Sequence, residues 1–355
     1  MFHDLRACLA VLTVLGVIGC GSTGSSNPSG AGMAGIGAEG GDSAMTGAGA
    51  GGPLAAGGAG SGGEIGLLAG NQLALGTEFG CGIDDAQRIQ CWGSDDQKTG
   101  QIQPPDGVYL QIRAGDQTAC AVRSGDFFDC WGASAGVSIG TDTLDLGVVG
   151  GQTCLLRADK SIRCFGPSTN PAVGSKPGPF RRVGAGGGFG CGLNEDATLL
   201  CWGSDAHGIV SGLPAGEFLD LSTGVYHACA IKKDDRTVVC WGAGGPDDAN
   251  GKDPDLIAFG QAIPAGGSFV AIAAGLGHTC GILENGSVKC WGAGTTDDNC
   301  VETLNCGQSL PPEGSFVQIA AGTSNSCGIR DDGSIECWGS NTGNRSTPPA
   351  DFRAF

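Results

Sequence analysis

The chain has 355 residues, of which 69 are glycine, and its 36 aspartates and glutamates against 19 lysines and arginines give a formal net charge of −17. This charge argues against a nucleic-acid partner, because a phosphate backbone is bound by clustered cations. The length fits two average domains or one large all-β domain. The internal pattern of the sequence therefore decides the domain count.

Residues 1–20, MFHDLRACLAVLTVLGVIGC, place Arg6 before an apolar run that is too short to span a bilayer. This pattern predicts an export signal. Its end, VIGC, resembles the lipobox of bacterial lipoproteins, and the resemblance implies that Cys20 carries a lipid after cleavage. The chain would then be anchored to a membrane of the bacterial cell envelope, at the outer membrane or cell surface. An ordinary secretory signal is the alternative, and either one permits disulfides.

Residues 21–63 consist almost entirely of Gly, Ala and Ser. Such a composition offers too little bulky apolar surface to offset the entropy of ordering the backbone. We predict a disordered tether, whose end-to-end distance as a Gly-rich coil is roughly 35 Å.

From residue 64 to residue 355 one phrase recurs seven times, with steps of 34 to 51 residues between copies. Such a period is typical of solenoids and propellers. Each copy holds two cysteines that end on Trp-Gly, except that Phe165 replaces the tryptophan in the third. The pairs are Cys81 with Cys91, Cys120 with Cys130, Cys154 with Cys164, Cys191 with Cys201, Cys229 with Cys240, Cys280 with Cys290 and Cys327 with Cys337.

The two cysteines of each copy are predicted to face each other across a β-hairpin. The three-residue loop 284–286 would pair Leu283 with Ser287 and therefore Cys280 with Cys290. Directly opposed residues have Cα atoms about 4.5 to 5.5 Å apart, which a disulfide tolerates. We expect seven cross-strand disulfides, with reduced buried cysteines as the alternative. Cys300 and Cys306 lie outside this register and are predicted to join each other.

These copies resemble the regulator of chromosome condensation repeat family, in the phrase AG…CGI…DG…CWG and in the GQ…PP.G segments at 100–107 and 307–314. The resemblance implies an all-β, seven-bladed β-propeller over residues 64–355, a fold shared with a secreted bacterial inhibitor of β-lactamases. Stacked blades would bury the tryptophans between neighbours, and ring closure removes unprotected edges. The segment 71–76 lacks the leading Phe of its repeat, so Phe352 is predicted to supply it.

The sequence offers no set of catalytic residues, no metal site and no cofactor motif. His227 and His278 each precede a repeat cysteine by two positions, which favours a structural role, and His207 has no nucleophile or second histidine beside it. No CxxC spacing supports zinc. One alternative is calcium at the acidic loop 245–255, although its spacing fits no EF-hand. This loop contains Asp247, Asp248, Asn250, Asp253 and Asp255.

The favoured interpretation is therefore an exported, lipid-anchored and non-enzymatic module that binds a protein partner, as a scaffold or an inhibitor. The long loops at 243–266 and 293–314 are the expected contacts, because loops on a rigid scaffold commonly carry function. We expect a monomer. The alternatives are guanine-nucleotide exchange, which the family resemblance implies, and glycan binding at a cell surface.

Overall fold

The computed structural model describes residues 71–124, 127–133, 143–245, 259–296 and 305–355, together with the backbone of 139–140. The predicted signal and tether lie outside these residues, and one compact unit spans Glu64–Phe355. In the described ranges, the only helical segments are two single 3-10 turns, at Ala206–Gly208 and Thr342–Asn344. No helix of the described residues is long and apolar enough to cross a membrane.

Seven antiparallel sheets of three or four strands follow one another along the chain, and each contains one copy of the repeat. Blades 1 to 3 contain β1 Leu73–Leu75, β2 Phe79–Ile83, β3 Ile89–Gly93, β4 Tyr109–Gly115, β5 Thr118–Arg123, β6 Phe127–Gly132, β7 Ile139–Gly140, β8 Thr143–Val149, β9 Gln152–Arg157, β10 Ile162–Phe165 and β11 Gly174–Lys176. Blades 4 and 5 contain β12 Phe180–Ala185, β13 Phe189–Asn194, β14 Leu199–Gly203, β15 Phe218–Thr223, β16 His227–Lys232 and β17 Val238–Gly242. Blades 6 and 7 contain β18 Phe269–Ala274, β19 His278–Leu283, β20 Val288–Gly292, β21 Phe316–Ala321, β22 Asn325–Arg330 and β23 Ile335–Gly339. The chain is thus an all-β, seven-bladed propeller, as its sequence predicts.

The second and third strands of every blade place the repeat cysteines directly opposite each other. All seven predicted pairs form disulfides, with Cα atoms 4.0 to 4.1 Å apart. The bonds join Cys81 to Cys91, Cys120 to Cys130, Cys154 to Cys164, Cys191 to Cys201, Cys229 to Cys240, Cys280 to Cys290 and Cys327 to Cys337. The alternative of reduced, buried cysteines is therefore wrong for these fourteen residues.

The separation of the paired cysteines differs from the prediction. Their Cα atoms are closer than the expected 4.5 to 5.5 Å, because a bond between directly opposed sulfurs draws the strands together. Cys306 is also oxidised, whereas its predicted partner Cys300 lies outside the described residues.

The first strands of the blades form the innermost ring. Each of them contacts the first strand of the next blade, and β21 contacts β1 to close the circle. Seven apolar clusters fill the seven spaces between neighbouring blades. Every tryptophan lies in one of them and donates its indole N–H to a backbone carbonyl in the segment that leads from the preceding blade, as Trp241 does to Ile209 at 3.0 Å. The predicted packing of tryptophans between blades is confirmed.

Six of the innermost strands contain a β-bulge directly after their first residue. In blade 6, Phe269 pairs with Leu283 and Ala271 with Ile282, so Val270 has no partner across the ladder. Such an extra residue bends the strand and redirects the side chains around it. The bulge has a clear effect here, since Phe269 and Ile272 pack into the same cluster against blade 5 although they are three residues apart.

Ring closure differs in one respect from the prediction for Phe352. Its ring does fill the aromatic place of blade 1, because it lies against Gly82 as Phe269 lies against Gly281. The backbone position belongs to Ala354 instead, whose N–H donates to Gly333 as that of Phe316 donates to Gly286. The predicted register is therefore wrong by two residues: Phe352 precedes the equivalent backbone position by two residues, although its ring fills the equivalent aromatic place.

Candidate functional site

The inner strands begin at the end of the propeller where the hairpin turns lie. Phe269, which opens β18, pairs with Leu283, the last residue before the turn of blade 6. The same pairing holds for Phe316 and Arg330 in blade 7. We call this end of the ring the turn face. The bulged positions of the inner strands therefore surround the central axis at the turn face.

Apolar side chains occupy six of the seven equivalent positions at the bulge. Phe355 belongs to this set, because Ala354 takes the first position of blade 1. Phe355, Leu110, Leu144 and Val317 are exposed by 57, 46, 44 and 47%, and the other two are half-buried. We call this set the apolar belt, which consists of Phe355, Leu110, Leu144, Leu219, Val270 and Val317.

Arg181 takes the seventh position of the circle. Its guanidinium donates to the backbone carbonyl of Phe218 at 2.6 Å and to that of Leu219 at 3.4 Å. These carbonyls belong to the next blade, so the arginine ties blade 4 to blade 5. The apolar belt is thus interrupted by one cation, which already donates to the backbone.

The next residue of each inner strand forms a second circle, the polar ring, which contains Gln72, Gln111, Asp145, Arg182, Asp220, Ala271 and Gln318. Side chains of neighbouring members bind each other at three of the seven junctions between blades. Gln111 donates to Asp145 at 2.5 Å, Arg182 donates to Asp220 at 2.9 and 3.1 Å, and Gln318 donates to Gln72 at 3.3 Å. Ala271 of blade 6 has no polar side chain and leaves the circle open at that point.

Charges of the polar ring are largely removed from water. The side chains of Asp145 and Asp220 are 5 and 10% exposed, and Asp145 accepts from Arg113 at 3.3 Å and from the backbone N–H of Val183 at 3.1 Å. Burial lowers the pKa of Arg113 to about 10. The adjacent Asp220 carboxylate raises the pKa of Arg182. Both arginines are cations at neutral pH, so each forms an ion pair with a buried aspartate of the ring.

Carboxylates surround the belt in the hairpin turns. The six turns that are fully described, at 84–88, 158–161, 195–198, 233–237, 284–287 and 331–334, carry ten carboxylates and four cations. We call the nine exposed ones the acidic rim, which consists of Asp85, Asp159, Glu195, Asp196, Asp234, Asp235, Glu284, Asp331 and Asp332. Hydrogen bonds from a Ser or Thr two residues further on lower the pKa of Asp159, Asp196, Asp235 and Asp332. These four carboxylates are therefore ionised at neutral pH.

The two repeat histidines are buried and join blades. His227 Nε2 lies 2.7 Å from Thr279 Oγ1 of blade 6, and His278 Nε2 lies 2.8 Å from Ser326 Oγ of blade 7. Burial lowers the pKa of His227 to about 3 and that of His278 to about 4. This geometry agrees with the predicted structural role. His207 lies against the edge of an aromatic ring, that of Tyr226.

The structure describes the loops that the sequence favoured as contacts only in part. Residues 246–258 and 297–304 lie outside the described residues, and with them Asp247, Asp248, Asn250, Asp253 and Asp255 of the predicted calcium alternative. Cys20, the predicted lipidation site, lies outside them as well. In the portion of the chain that is described, no group of three or more His, Cys, Asp or Glu could hold a metal ion.

Sequence reasoning did not find the apolar belt or the polar ring. The signal was present in the aligned phrases VYLQIRAG, EFLDLSTG, SFVAIAAG and SFVQIAAG, where an aliphatic residue follows the leading aromatic one. A polar residue comes next in three of these four phrases. Comparing the repeats at these two positions, the aliphatic one and the polar one after it, would have found both circles.

A family model described as the regulator of chromosome condensation (RCC1) repeat matches residues 269–299 and 316–344, in blades 6 and 7. The serine/threonine-protein kinase-like protein CCR2 of Arabidopsis thaliana is 27% identical over 173 residues, which cover 46% of this chain and 19% of that protein. The match thus spans less than a fifth of that relative's length.

Solved structures share the fold. The ectodomain of the receptor kinase CR4 from Physcomitrella patens superposes with a TM-score of 0.61 at 25% identity, covering 76% of this chain and 74% of that one. The CRINKLY WD40 ectodomain of the Arabidopsis thaliana receptor kinase ACR4 has a TM-score of 0.60 at 21% identity, with 79 and 98% covered. Human WBSCR16 has a TM-score of 0.53 at 13% identity, with 71 and 84% covered. With the repeat matched in two blades and its phrase recurring in all seven, the chain is a seven-bladed β-propeller of the regulator of chromosome condensation repeat type.

Proposed function

We propose that this protein is an exported, lipid-anchored propeller that binds a protein partner on its turn face. The observation that carries the proposal is the apolar belt, where four exposed aliphatic or aromatic side chains lie on the consecutive blades 7, 1, 2 and 3. Contiguous exposed apolar surface on a soluble protein commonly marks an interaction site. The binding role needs no catalytic step.

Rigidity supports the same function. Each belt residue except Phe355 lies on a strand that pairs with a disulfide-bonded hairpin, as Val270 lies on β18 beside the Cys280–Cys290 bond. A surface that is already ordered loses little entropy when a partner binds, which favours affinity. Scaffold and inhibitor roles both depend on such a surface.

Export and anchoring rest on the lipobox-like VIGC at residues 17–20 and on the disulfides. Disulfides persist in oxidising compartments and are rare in the cytosol. Two similar structures are receptor-kinase ectodomains by their descriptions, which agrees with a propeller that functions outside the cytosol. In this proposal Cys20 carries the lipid and residues 21–63 hold the propeller away from the membrane.

Site-specific photocrosslinking on intact bacteria tests the binding proposal. A photoreactive amino acid replaces Leu144 or Val317 in the belt, or Asp116 as an exposed control at the opposite end of blade 2. We expect the same discrete protein adduct from both belt positions and none from the control. Adducts of equal yield at all three positions, or an adduct with glycan alone, would contradict the proposal.

Metabolic labelling with a fatty acid tests the lipid anchor separately. The variant Cys20→Ala should keep its signal segment and lose metabolic labelling with a fatty acid, whereas Cys8→Ala should be labelled like the unchanged chain. A labelled Cys20→Ala protein would refute lipidation at this position and leave the binding proposal untouched.

A further inference from the structure

We infer that the partner on the turn face presents an apolar side chain encircled by lysines or arginines, which dock on the apolar belt and the acidic rim. The inference rests on the proposed function and adds the chemistry of the partner. Its occupant is a second protein of basic character at the point of contact.

The apolar belt accounts for the apolar half of this match. Leu110 and Leu144 lie on adjacent blades and are each almost half exposed, and Val317 and Phe355 extend the apolar surface on the other side. Covering such surface with an apolar side chain removes it from water, which is favourable in proportion to the area. Charged or amide groups placed there would lose their own hydration without finding a partner.

The acidic rim accounts for the basic half of the match. All four cations of the described turns already lie beside a carboxylate. The pairs are Arg88–Asp84 at 3.1 Å, Lys160–Glu195 at 3.7 Å, Lys233–Glu217 at 2.6 Å and Arg236–Glu284 at 3.5 Å. Asp85, Asp196, Asp234, Asp331 and Asp332 form no ion pair with these turn cations. An acidic partner would meet this excess negative charge, whereas a basic partner would complement it.

The two halves should respond differently to salt. Exposed ion pairs are screened over about 8 Å at physiological ionic strength, so the rim contribution falls as salt rises. Burial of apolar surface has no such dependence on ionic strength. A partner of the inferred chemistry therefore has one salt-sensitive and one salt-insensitive contribution to its affinity.

Three synthetic peptides serve as probes, titrated by fluorescence anisotropy against the full chain. Their central sequences are Lys-Lys-Leu-Leu-Lys-Lys, Glu-Glu-Leu-Leu-Glu-Glu and Lys-Lys-Ser-Ser-Lys-Lys. At low salt we expect the Lys/Leu peptide to bind at least about tenfold more tightly than either of the others. Equal binding of the Glu/Leu peptide would overturn the basic half of the inference, and equal binding of the Lys/Ser peptide would overturn the apolar half.

Two variants assign the two contributions. The double variant Leu110→Ser, Leu144→Ser should bind the Lys/Leu peptide about tenfold more weakly at both low and high salt. Asp196→Asn, Asp235→Asn and Asp332→Asn together should weaken it several-fold at low salt only. This triple change preserves the turns, because Asn285 already accepts the equivalent bonds from Ser287 in blade 6.

A control variant removes two charges from the other end of the ring. Asp96→Asn with Asp116→Asn should leave peptide binding within about twofold, since both residues lie away from the turns. Loss of affinity in this control equal to that in the triple variant would mean that only overall charge matters, which would overturn the inference.

Other occupants of the belt give distinguishable results. If Leu67→Ser with Leu68→Ser in the full chain raised peptide affinity, the chain's own preceding segment would cover the belt. Concentration-dependent dimers that the Leu110→Ser, Leu144→Ser variant abolishes would indicate a second copy. Either result overturns the inference. If instead the photocrosslinked protein bound the triple Asn variant unchanged at low salt, the proposed function would stand and this inference would fail.

Discussion

The innermost strands of blades 2 to 5 are joined by charged side chains, whereas the contacts between the two inner strands of blades 5, 6, 7 and 1 are neutral. The charged contacts are Arg113 with Asp145 and Arg182 with Asp220. The neutral contacts are His227 with Thr279 and His278 with Ser326 on the second strands, and Gln318 with Gln72 at the innermost strands. The disulfides and the bulges are common to both halves, so the backbone does not dictate this difference.

The difference shows that one scaffold holds its blades together with two kinds of polar contact. A buried ion pair fails when one partner is removed, because the remaining charge has lost both water and partner. A buried neutral histidine fails when the medium becomes acidic enough to protonate it. The two halves of the ring should therefore be destabilised by different perturbations.

The largest effect is expected from Asp145→Ala in the charged half. The change leaves Gln111, Arg113 and the N–H of Val183 without the acceptor that they share. Removal of one partner from a buried pair typically costs about 3 to 5 kcal/mol. Urea unfolding of the oxidised protein, followed by tryptophan fluorescence, measures the free energy of unfolding.

Asp234→Ala is the control for Asp145→Ala, because Asp234 is exposed in a turn. Its free energy of unfolding should change by less than about 0.5 kcal/mol. A loss below about 1 kcal/mol for Asp145→Ala would show that Arg113 reaches water, and the contrast between the two halves would disappear.

Mild acid should weaken the neutral half. His227 and His278 have folded pKa values of about 3 and 4, whereas an unfolded histidine has a pKa of about 6.5. The unfolded chain thus binds more protons, so stability is lost as pH falls below about 6.5 and continues to fall towards the folded pKa. At pH 5 the loss is about 2 kcal/mol for each histidine.

The matched variant is His227→Asn with His278→Asn, which copies Asn325 at the same position of blade 7. Urea midpoints between pH 7 and pH 5 should be much less pH-dependent in this variant than in the unchanged chain. An equal slope in both proteins would assign the acid sensitivity to other groups and break the comparison on its neutral side.

Removing a contact that both halves share should lower the free energy of unfolding by the same amount in each half. Trp202 of blade 4 donates to Ala172 at 3.1 Å, and Trp92 of blade 1 donates to Arg345 at 2.9 Å. Replacement by Phe, the residue that blade 3 has at this position as Phe165, removes the N–H donor, so a buried carbonyl loses this hydrogen bond. We expect the free energy of unfolding to fall by about 1 to 2 kcal/mol. In thermal and urea unfolding, the free energies of unfolding of the two variants should differ by less than about 0.5 kcal/mol. A larger gap would show that the halves differ in packing as well as in charge.

The sequence predicts those features that local turn length determines. A three-residue loop at 284–286 sets the register of its hairpin, and the opposition of Cys280 and Cys290 follows without knowledge of the rest of the fold. The apolar belt does not follow in this way, because strict alternation along β18 would place Phe269 and Ile272 on opposite faces. The bulge at Val270 shifts this alternation by one residue. Closure by Ala354 depends on contacts between the two ends of the propeller, which no local pattern contains.

The smallest effect is expected from Ala271→Gln, which fills the opening in the polar ring. The new amide lies between Asp220 and Gln318, in the place that Gln318 occupies one blade further on. A new hydrogen bond stabilises the fold by about 1 kcal/mol, and ordering a glutamine side chain costs a similar amount. The free energy of unfolding should therefore change by less than about 1 kcal/mol. A clear gain in urea stability would show that the neutral half lacks a contact that its backbone can accommodate. A loss of more than about 2 kcal/mol would instead show that Val270 and its neighbours need a small residue there, because overpacking has this cost.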